Sequence, residues 1–413
     1  MRIPPQTVLA LLLTLSAYAT PDPKTDYARM QKWQFSPAVT LSAPVTFTRD
    51  TATWTLESGT IRRMEPLSDG TSSGIVFEGR GRFRMTVPDR YELKQLHRFV
   101  GKPIEVLDQP ITQLFLRTSE AALIDLFPTT AEQYTPFGPA KKRQEAWLVD
   151  LRIDPDSGVL MAKLNPGAVR TVIGMDTEDY GWITYDYDSA RDEEISLTHY
   201  QARVYETWLS LDAPEHRRPD GRPGEFQTTL ATLDHIDVKA DLTRNGKNTG
   251  VSRHNQRSIN GRYVVEATFT GVADAVRALR LNLWSRAENL KAFDTDGNEL
   301  PVFRDHVGQR SSFLDDRTHD DDFVLVLSTP LQRGEQQRVR FEYELETANY
   351  APGGLWYPMF RDALDQKHTA RLELTVRKRN ELRSMGKMES RTEDGATETS
   401  VWVVAQPTKV VTF

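Results

Sequence analysis

The sequence contains no cysteine among its 413 residues. This absence excludes disulfides, catalytic thiols, cysteine-ligated zinc and iron–sulfur clusters. The zinc-binding pattern H-E-x-x-H is also missing, and no two of the eight histidines are four residues apart. A zinc site built from two histidines on one helix is therefore excluded as well.

An excess of positive charge is lacking too. The chain has 52 Lys and Arg against 58 Asp and Glu, which gives a formal net charge of -6. Nucleic-acid binding by bulk charge needs a surplus of cations, so we expect no nucleic-acid partner. Hydrophobic residues make up 38% and charged residues 27%, values typical of a soluble globular protein rather than a disordered one. The length predicts two or three domains.

No apolar run reaches the length of a membrane span. The longest one, Val8–Leu15, follows a single charge at Arg2 and precedes Ala17-Tyr18-Ala19. A short apolar segment ending in small residues at these positions is typical of a secretory signal peptide. We therefore predict a signal peptide over residues 1–19, cleavage after Ala19, and an exported protein in the periplasm or outside the cell. No membrane span is expected after cleavage.

Helical periodicity is scarce, and only residues 91–100 and 119–127 show it. Alternation of apolar and polar residues recurs along the rest of the chain and predicts a mostly β protein. The Pro- and Gly-rich segment 213–225 predicts a linker between a β-rich domain over residues 20–212 and a second β domain over 226–413. The second is expected to form a β-sandwich or a saddle-shaped sheet. The turn signal Asp154–Gly158 predicts a hairpin from strand 147–153 into strand Val159–Leu164.

The sequence leaves two possible kinds of site undecided. The acidic run Asp315–Asp322 could bind calcium through carboxylate oxygens, or could be a solvated loop. The second region lies between residues 176 and 188, where acids and aromatic rings interleave. Two of the acids could act as the carboxylate pair of a glycoside hydrolase, and the rings could stack on a sugar or pack as a strand. The acids are Asp176, Glu178, Asp179, Asp186 and Asp188, and the rings are Tyr180, Trp182, Tyr185 and Tyr187.

A series of features over residues 226–413 resembles a known domain. It is similar, in the order of its features, to the N-terminal β domain of zinc aminopeptidases of the membrane alanine aminopeptidase and leukotriene-A hydrolase type. The features are an opening strand at His235–Leu242, Leu331–Glu335 before a strand at Val339–Tyr343, an aromatic loop at Gly354–Pro358, a strand at His368–Val376, a turn at Ser384–Glu389, and Trp402 and Pro407 in the closing strand. More weakly, the first half resembles the extra β-rich region ahead of this domain in some exported bacterial members.

The resemblance implies a non-catalytic β protein. In the family the zinc ligands lie in H-E-x-x-H on a helical domain, which would begin where this sequence ends. Gly386–Ser390 is similar to the family's G-x-M-E-N substrate loop, but Ser390 replaces Asn, and we interpret the segment as a turn. No catalytic, metal-binding or cofactor-binding residue is therefore expected, and zinc is expected only if a catalytic domain follows. The implied partners are a peptide substrate or a C-terminal catalytic domain.

Three aromatic side chains are the candidate contacts for a peptide or other ligand: Trp356 and Tyr357 in the aromatic loop, and Trp182 in the first half. The leading hypothesis is an exported scaffold that also shapes peptide access through this loop. The alternative is a secreted β-sandwich module that binds glycan or peptide through the rings between residues 180 and 187. A hydrolase with a dispersed carboxylate pair is a third hypothesis.

Overall fold

The computed structural model of this chain consists mainly of antiparallel strands, as the alternation predicts. It describes residues 22–88, 90–130, 133–136, 155–191, 193–201, 204–217, 229–245, 259–284, 287–304, 322–347, 356–360, 366–380 and 382–413. Within these ranges, no helix is both long enough and apolar enough to cross a membrane.

The first half forms a nine-stranded antiparallel sheet. Its strands run in the order β11-β10-β9-β8-β6-β5-β4-β2, with β3 also paired to β4. They are β2 (Val39–Thr40), β3 (Val45–Arg49), β4 (Ala52–Arg63), β5 (Gly74–Thr86), β6 (Val106–Thr118), β8 (Arg170–Thr177), β9 (Gly181–Asp188), β10 (Ile195–Gln201) and β11 (Val204–Leu211). Two short strands, β1 (Gln34–Phe35) and β7 (Thr135–Pro136), pair separately.

Two facing glycines let β4 and β5 approach closely. Gly59 lies opposite Gly79. A Cβ atom added to Gly79 would stand 2.1 Å from the Ser58 carbonyl oxygen and 2.6 Å from the Gly59 Cα, so no larger residue fits without moving the backbone. Register irregularities flank the pair in both strands, and such bulges bend a sheet locally.

One face of this sheet carries its own apolar core. Alternate residues of β4 and β5, such as Trp54, Leu56, Phe83 and Met85, point into this core. Two helices add to it, α2 (Arg90–Val100) through Leu96 and the short α3 (Ala121–Ile124) through Ile124. Both predicted helical segments are thus confirmed.

The second half is a sandwich of two sheets, as predicted for it. The larger sheet has the order β16-β15-β19-β13-β12-β20-β22-β21, in which only β12 and β20 are parallel, and the smaller has the order β14-β18-β17. The strands are β12 (Ala231–Asn245), β13 (Ile259–Gly271), β14 (Val276–Asn282), β15 (Ala287–Phe293), β16 (Glu299–Leu300), β17 (Val302–Phe303), β18 (Asp322–Leu331), β19 (Gln336–Thr347), β20 (His368–Arg377), β21 (Lys387–Asp394) and β22 (Thr397–Thr408).

The three-stranded sheet is buried on both faces. Along β18, Phe323, Leu325 and Leu327 point into the core shared with the larger sheet, whereas Val324 and Val326 point to the opposite side. An alternating strand places successive side chains on opposite faces, so both faces of β18 need a covering layer. The eight-stranded sheet covers one face, and two helices cover the other.

The structure corrects the hairpin prediction at residues 154–164. Residues Pro155–Leu164 form a helix, α4, not a turn followed by a strand. Proline is well suited to the first position of a helix, where its missing N–H needs no partner. Gly158 lies inside the helix because the side chains of Arg170 and Arg280 pass over it, 3.4 and 3.3 Å from where a Cβ would be. The apolar run that follows is buried in helical form.

Helices α4 and α1 (Pro23–Lys32) form the layer between the two halves. Their apolar side chains pack on the outer face of the three-stranded sheet in one cluster with Phe303, Val324 and Val326. Tyr27 of α1 lies against Phe303, with ring centroids 4.6 Å apart. From the first half to the second, the layers are therefore the nine-stranded sheet, the two helices, the three-stranded sheet and the eight-stranded sheet.

Several predictions fall outside the described residues. They are the signal peptide at 1–19, residues 147–154 of the predicted hairpin, the acidic run Asp315–Asp322 except its last residue, the part of the linker from 218 to 225, and Gly354 and Leu355 of the aromatic loop. Asp322 itself begins β18. The linker's start is described, and there Pro214–His216 forms one turn of 3-10 helix.

Candidate functional site

A cluster of buried charges lies on the face of the nine-stranded sheet that points to the second half. Arg170 in β8 stands opposite Asp188 in β9, and its Nη1 lies 2.7 Å from an Asp188 oxygen and 2.9 Å from Asp186 Oδ1. All three residues are at most 2% exposed. Asp186 and Asp188 share a face because they are two residues apart in one strand.

Two more arginines complete this cluster. Arg280, which comes from β14 in the second half, donates from Nη1 to Asp188 Oδ2 over 2.7 Å. Arg191, just after β9, contacts Asp186 at 3.2 Å and Asp188 at 3.4 Å. Three arginines therefore pair with two aspartates, and Asp188 forms ion pairs with arginines from both halves of the molecule.

The two aspartates differ in their electrostatics. Burial acts to raise the pKa of Asp188, but Arg280, Arg170 and Arg191 together outweigh it and hold that pKa well below the usual range. Burial dominates at Asp186 and raises its pKa, with partial compensation from Arg170 and Arg191. Asp188 is thus the firmly ionised centre of the cluster.

A second buried ion pair joins the helix layer to the first sheet. Arg117 of β6 is fully buried, and its guanidinium donates to a carboxylate oxygen of Asp156 in α4. The same guanidinium donates to Ser73 Oγ at 2.8 Å, and the Gln31 amide in α1 donates to Asp156 Oδ2 at 2.9 Å. Both carboxylate oxygens of Asp156 therefore have partners, which is what a buried charge requires.

Asn165, just beyond α4, joins the helix to the second half. Its side-chain oxygen accepts the main-chain N–H groups of Arg277 and Ala278, each at 2.9 Å, and its Nδ2 donates to the Ala278 carbonyl at 2.8 Å. Asn165 is 4% exposed. Its amide therefore pairs with β14 much as a neighbouring strand would.

We call this group the ionic junction: Arg117, Asp156, Arg170, Asp186, Asp188, Arg191 and Arg280. Its chemistry is structural in kind, since each carboxylate faces at least one arginine and six of the seven side chains are no more than 15% exposed. Removing one partner of a buried ion pair leaves an uncompensated buried charge and strongly destabilises the folded state.

Trp356 and Tyr357, the expected ligand contacts of the aromatic loop, lie in the core of the second half. Both are 0% exposed. Trp356 Nε1 donates to the Val411 carbonyl at 2.8 Å, and the Trp356 carbonyl accepts the Tyr343 hydroxyl at 2.6 Å. Neither ring is exposed at the surface of the structure.

The aromatic rings of residues 180–187 are divided between the two faces of β9. Tyr185 and Tyr187 point into the core of the first sheet, where Trp54 meets Tyr185 edge-on at 5.0 Å. Trp182 points to the other face, is half-buried and packs against a cluster that contains Trp33 and Phe115. Of these rings, Trp182 and the half-buried Tyr180 keep some exposed surface.

The candidate carboxylates are not gathered into one site. Asp176, Glu178 and Asp179 lie at the turn between β8 and β9, where Asp176 accepts the Thr112 hydroxyl at 3.1 Å and Asp179 accepts the Gln109 amide at 2.9 Å. Asp186 and Asp188 lie at the far end of the same hairpin, inside the ionic junction. Within the described ranges, no three or more of the ligand-type side chains converge to hold a metal.

Sequence reasoning did not identify the arginines of the junction. One signal was available, since Asp186 and Asp188 occupy alternate positions of a strand whose other residues carry no charge, and Arg170 begins the strand before it. Acids at buried strand positions need cationic partners. The partner Arg280 lies 92 residues away in sequence, and alternation alone cannot select it.

The turn interpretation of Gly386–Ser390 holds only for its first residue, since Lys387 to Ser390 begin strand β21. Gly386 has φ +88°, a conformation that favours glycine, and β21 begins at the next residue. A Cβ at this glycine would stand 2.3 Å from the Val403 carbonyl oxygen.

No protein-family model matches the sequence, and a search of curated proteins gives no match. Among solved structures, part of the chain is similar to an M1 zinc metallopeptidase from Deinococcus radiodurans, with 16% identity, a TM-score of 0.33, and coverage of 46% of this chain and 43% of that one. A mutant of an M1 zinc metallopeptidase from the same organism, bound to a Tyr-Ser-Ala substrate, gives 16% identity, a TM-score of 0.32, and coverage of 44% and 41%. The chain spans less than half the length of these structures.

Proposed function

We propose that this chain is an exported, non-catalytic scaffold. It would be equivalent to the front end of an aminopeptidase-like zinc metallopeptidase, and its partner would be a peptide or a catalytic domain. The ordered features over residues 226–413 support the equivalence. The observation that carries the scaffold role is the ionic junction.

The junction supports this role because the two acids with shifted pKa values, Asp186 and Asp188, are buried inside it. Acids and bases with perturbed pKa values often mark active sites, but buried ion-pair networks perturb them as well. Here Asp186 and Asp188 are held by arginines and shielded from solvent, so substrate cannot reach them without breaking the junction. Asp188 also holds β14 of the second half against the first sheet, through Arg280. A fixed relative position is what a scaffold supplies.

The test is a peptidase assay on the purified chain. Aminoacyl-coumarin amides with different first residues are incubated with the protein, with and without added zinc and with and without a chelator. We expect no turnover above buffer in any of these conditions. Zinc-dependent turnover that the chelator abolishes would contradict the non-catalytic role, provided that it coelutes with the chain on size exclusion.

Export has its own measurement. The full-length gene, expressed in a Gram-negative host, is expected to yield a protein in the periplasmic fraction or the medium whose first residue is Thr20 by mass spectrometry. A protein that keeps Met1 and stays in the cytosolic fraction would contradict this part of the proposal.

A further inference from the structure

The outer face of helix α2 carries charge of one sign. The inner side of the helix is fixed to the first sheet by Leu96, which is buried, and by Gln95, whose amide donates to the carbonyls of Thr207 and Trp208 at 3.2 and 3.4 Å. Phe99 stacks on Trp208 with ring centroids 6.2 Å apart. The opposite side of the helix faces solvent.

The only acid between residues 90 and 102 is turned inward. Glu92 is half-buried, and its carboxylate accepts the Ser210 main-chain N–H at 3.1 Å. The side chains that face outward and are charged in this segment are all cations. They are Arg90, Lys94, Arg98 and Lys102, and we call them, together with Tyr91 and Phe99, the basic face.

Two exposed aromatic rings belong to the same helix, with Tyr91 beside the cations and Phe99 on the side that meets Trp208. Tyr91 is 65% exposed and Phe99 is 40% exposed, which places both among the large apolar side chains with the most exposed surface in the described part of the chain. The Arg90 guanidinium lies over the Tyr91 ring at 4.7 Å from its centroid and donates to the Tyr91 hydroxyl at 2.7 Å. Cations on long apolar stems mixed with exposed aromatic rings are typical of surfaces that meet lipid headgroups.

We propose that the basic face of α2 docks this protein on the surface of an anionic lipid bilayer. Charge complementarity carries this assignment: the whole chain has a net charge of -6, yet this face is cationic, so the protein would approach an anionic surface with α2 first. The basic face is on the convex outside of a helix, so it offers aromatic rings to a deformable headgroup layer. A peptide partner would be expected to bind in a groove rather than on such a convex surface. This docking goes beyond the scaffold role and does not depend on it.

Vesicle co-sedimentation tests the docking. The mature chain is mixed with vesicles of phosphatidylcholine alone or of phosphatidylcholine with about one third phosphatidylglycerol, at low and at physiological salt. We expect binding to the anionic vesicles that weakens with salt. The double variant Lys94→Glu/Arg98→Glu is expected to lose about tenfold or more in partition coefficient.

A matched control separates the basic face from overall charge. Arg379→Glu/Lys387→Glu makes the same change of charge on exposed residues of the second half. It is expected to keep most of the binding. The milder double variant Lys94→Gln/Arg98→Gln, checked for an unchanged melting curve, serves if charge reversal disturbs the fold. Equal loss of binding in the control, or binding that the Lys94 and Arg98 variants leave intact, would overturn the proposal.

The absence of cysteine permits a site-specific readout. A single cysteine is introduced by Tyr91→Cys in one protein and by Thr392→Cys on the exposed strand β21 in another, and each is labelled with an environment-sensitive fluorophore. Anionic vesicles are expected to blue-shift the label at position 91 and to leave that at 392 unchanged. The same shift at both sites, or no sedimentation with anionic vesicles at low salt, would overturn the proposal. Retention on heparin or polyglutamate without vesicle binding would do so as well.

Discussion

At the scale of single residues, the buried polar pair of Tyr357 and His368 in the second half makes stability depend on pH. The Tyr357 hydroxyl accepts the Val411 main-chain N–H at 3.2 Å and lies 3.0 Å from His368 Nε2, to which it can donate its own proton. When the hydroxyl donates to Nε2, that nitrogen carries no proton and the imidazole is neutral. Burial, with a smaller contribution from His235, lowers the pKa of His368 to about 4.

Stability is therefore expected to fall with acid in a definite window. In the unfolded chain His368 would titrate near 6.5, so the unfolded state binds more protons between that pH and the folded pKa of about 4. The contribution of a neutral His368 is complete above pH 6.5 and is lost as the pH falls towards 4. Chemical denaturation at a series of pH values should show a loss of about 3 kcal/mol that is specific to this residue.

The variant His368→Gln supplies the control, because its side-chain oxygen can still accept the Tyr357 hydroxyl proton but does not titrate. We expect the free energy of unfolding of this variant to vary less with pH across the same window. An identical pH profile in both proteins would contradict the assignment of a neutral buried His368.

The aromatic loop shows what single-residue patterns leave undetermined. The hypothesis that Trp356 and Tyr357 contact a ligand comes from the resemblance of Gly354–Pro358 to the aromatic loop of the zinc aminopeptidases. Trp356 and Tyr357 are buried instead because the main chain of Val411 satisfies their polar atoms. Val411 lies 55 residues from Trp356, and no local pattern indicates that pairing.

At the scale of elements, alternation predicts a segment well when one of its faces is buried and the other is not. In β20, from His368 to Arg377, buried and half-exposed residues alternate without a break, and this strand was predicted. In α4, the run from Val159 to Ala162 is buried on all sides. A short apolar run of this kind has no distinguishing period, so strand and helix cannot be separated by pattern. Contacts with Arg170 and Arg280 over Gly158 favour the helix.

The residue that follows α4 should carry much of its attachment to the second half. The substitution Asn165→Ala removes three hydrogen bonds to the main chain of β14 and leaves buried polar groups of residues 277 and 278 without their partners. We expect a loss of about 3 kcal/mol in the free energy of unfolding, measured by denaturant titration. Lys24→Ala, at an exposed position of α1, is the matched control and should change stability by less than about 0.5 kcal/mol. Equal stability of the two variants would contradict this role for Asn165.

At the scale of the whole molecule, the two β-rich halves are joined by a layer that neither half contains by itself. Alternation and the Pro- and Gly-rich segment predicted the halves, but the layer between them depends on contacts between distant parts of the chain. Its apolar part is the cluster of α1, α4 and the three-stranded sheet, and its polar part is the ionic junction. We expect such a layer to make the two halves unfold as one cooperative unit, because neither can unfold without exposing charges and apolar surface of the other.

The most direct test of this cooperative scaffold is calorimetric melting of three proteins: the wild type, Asp188→Asn and the control Glu178→Gln. Asp188 contacts three arginines from both halves, whereas Glu178 is an exposed acid at the other end of the same hairpin. We expect a single transition for the wild type and for Glu178→Gln. For Asp188→Asn we expect a loss of about 3–5 kcal/mol and a transition that separates into two. Two independent transitions in the wild type, or an unchanged single transition in Asp188→Asn, would contradict the claim that the ionic junction holds the two halves together.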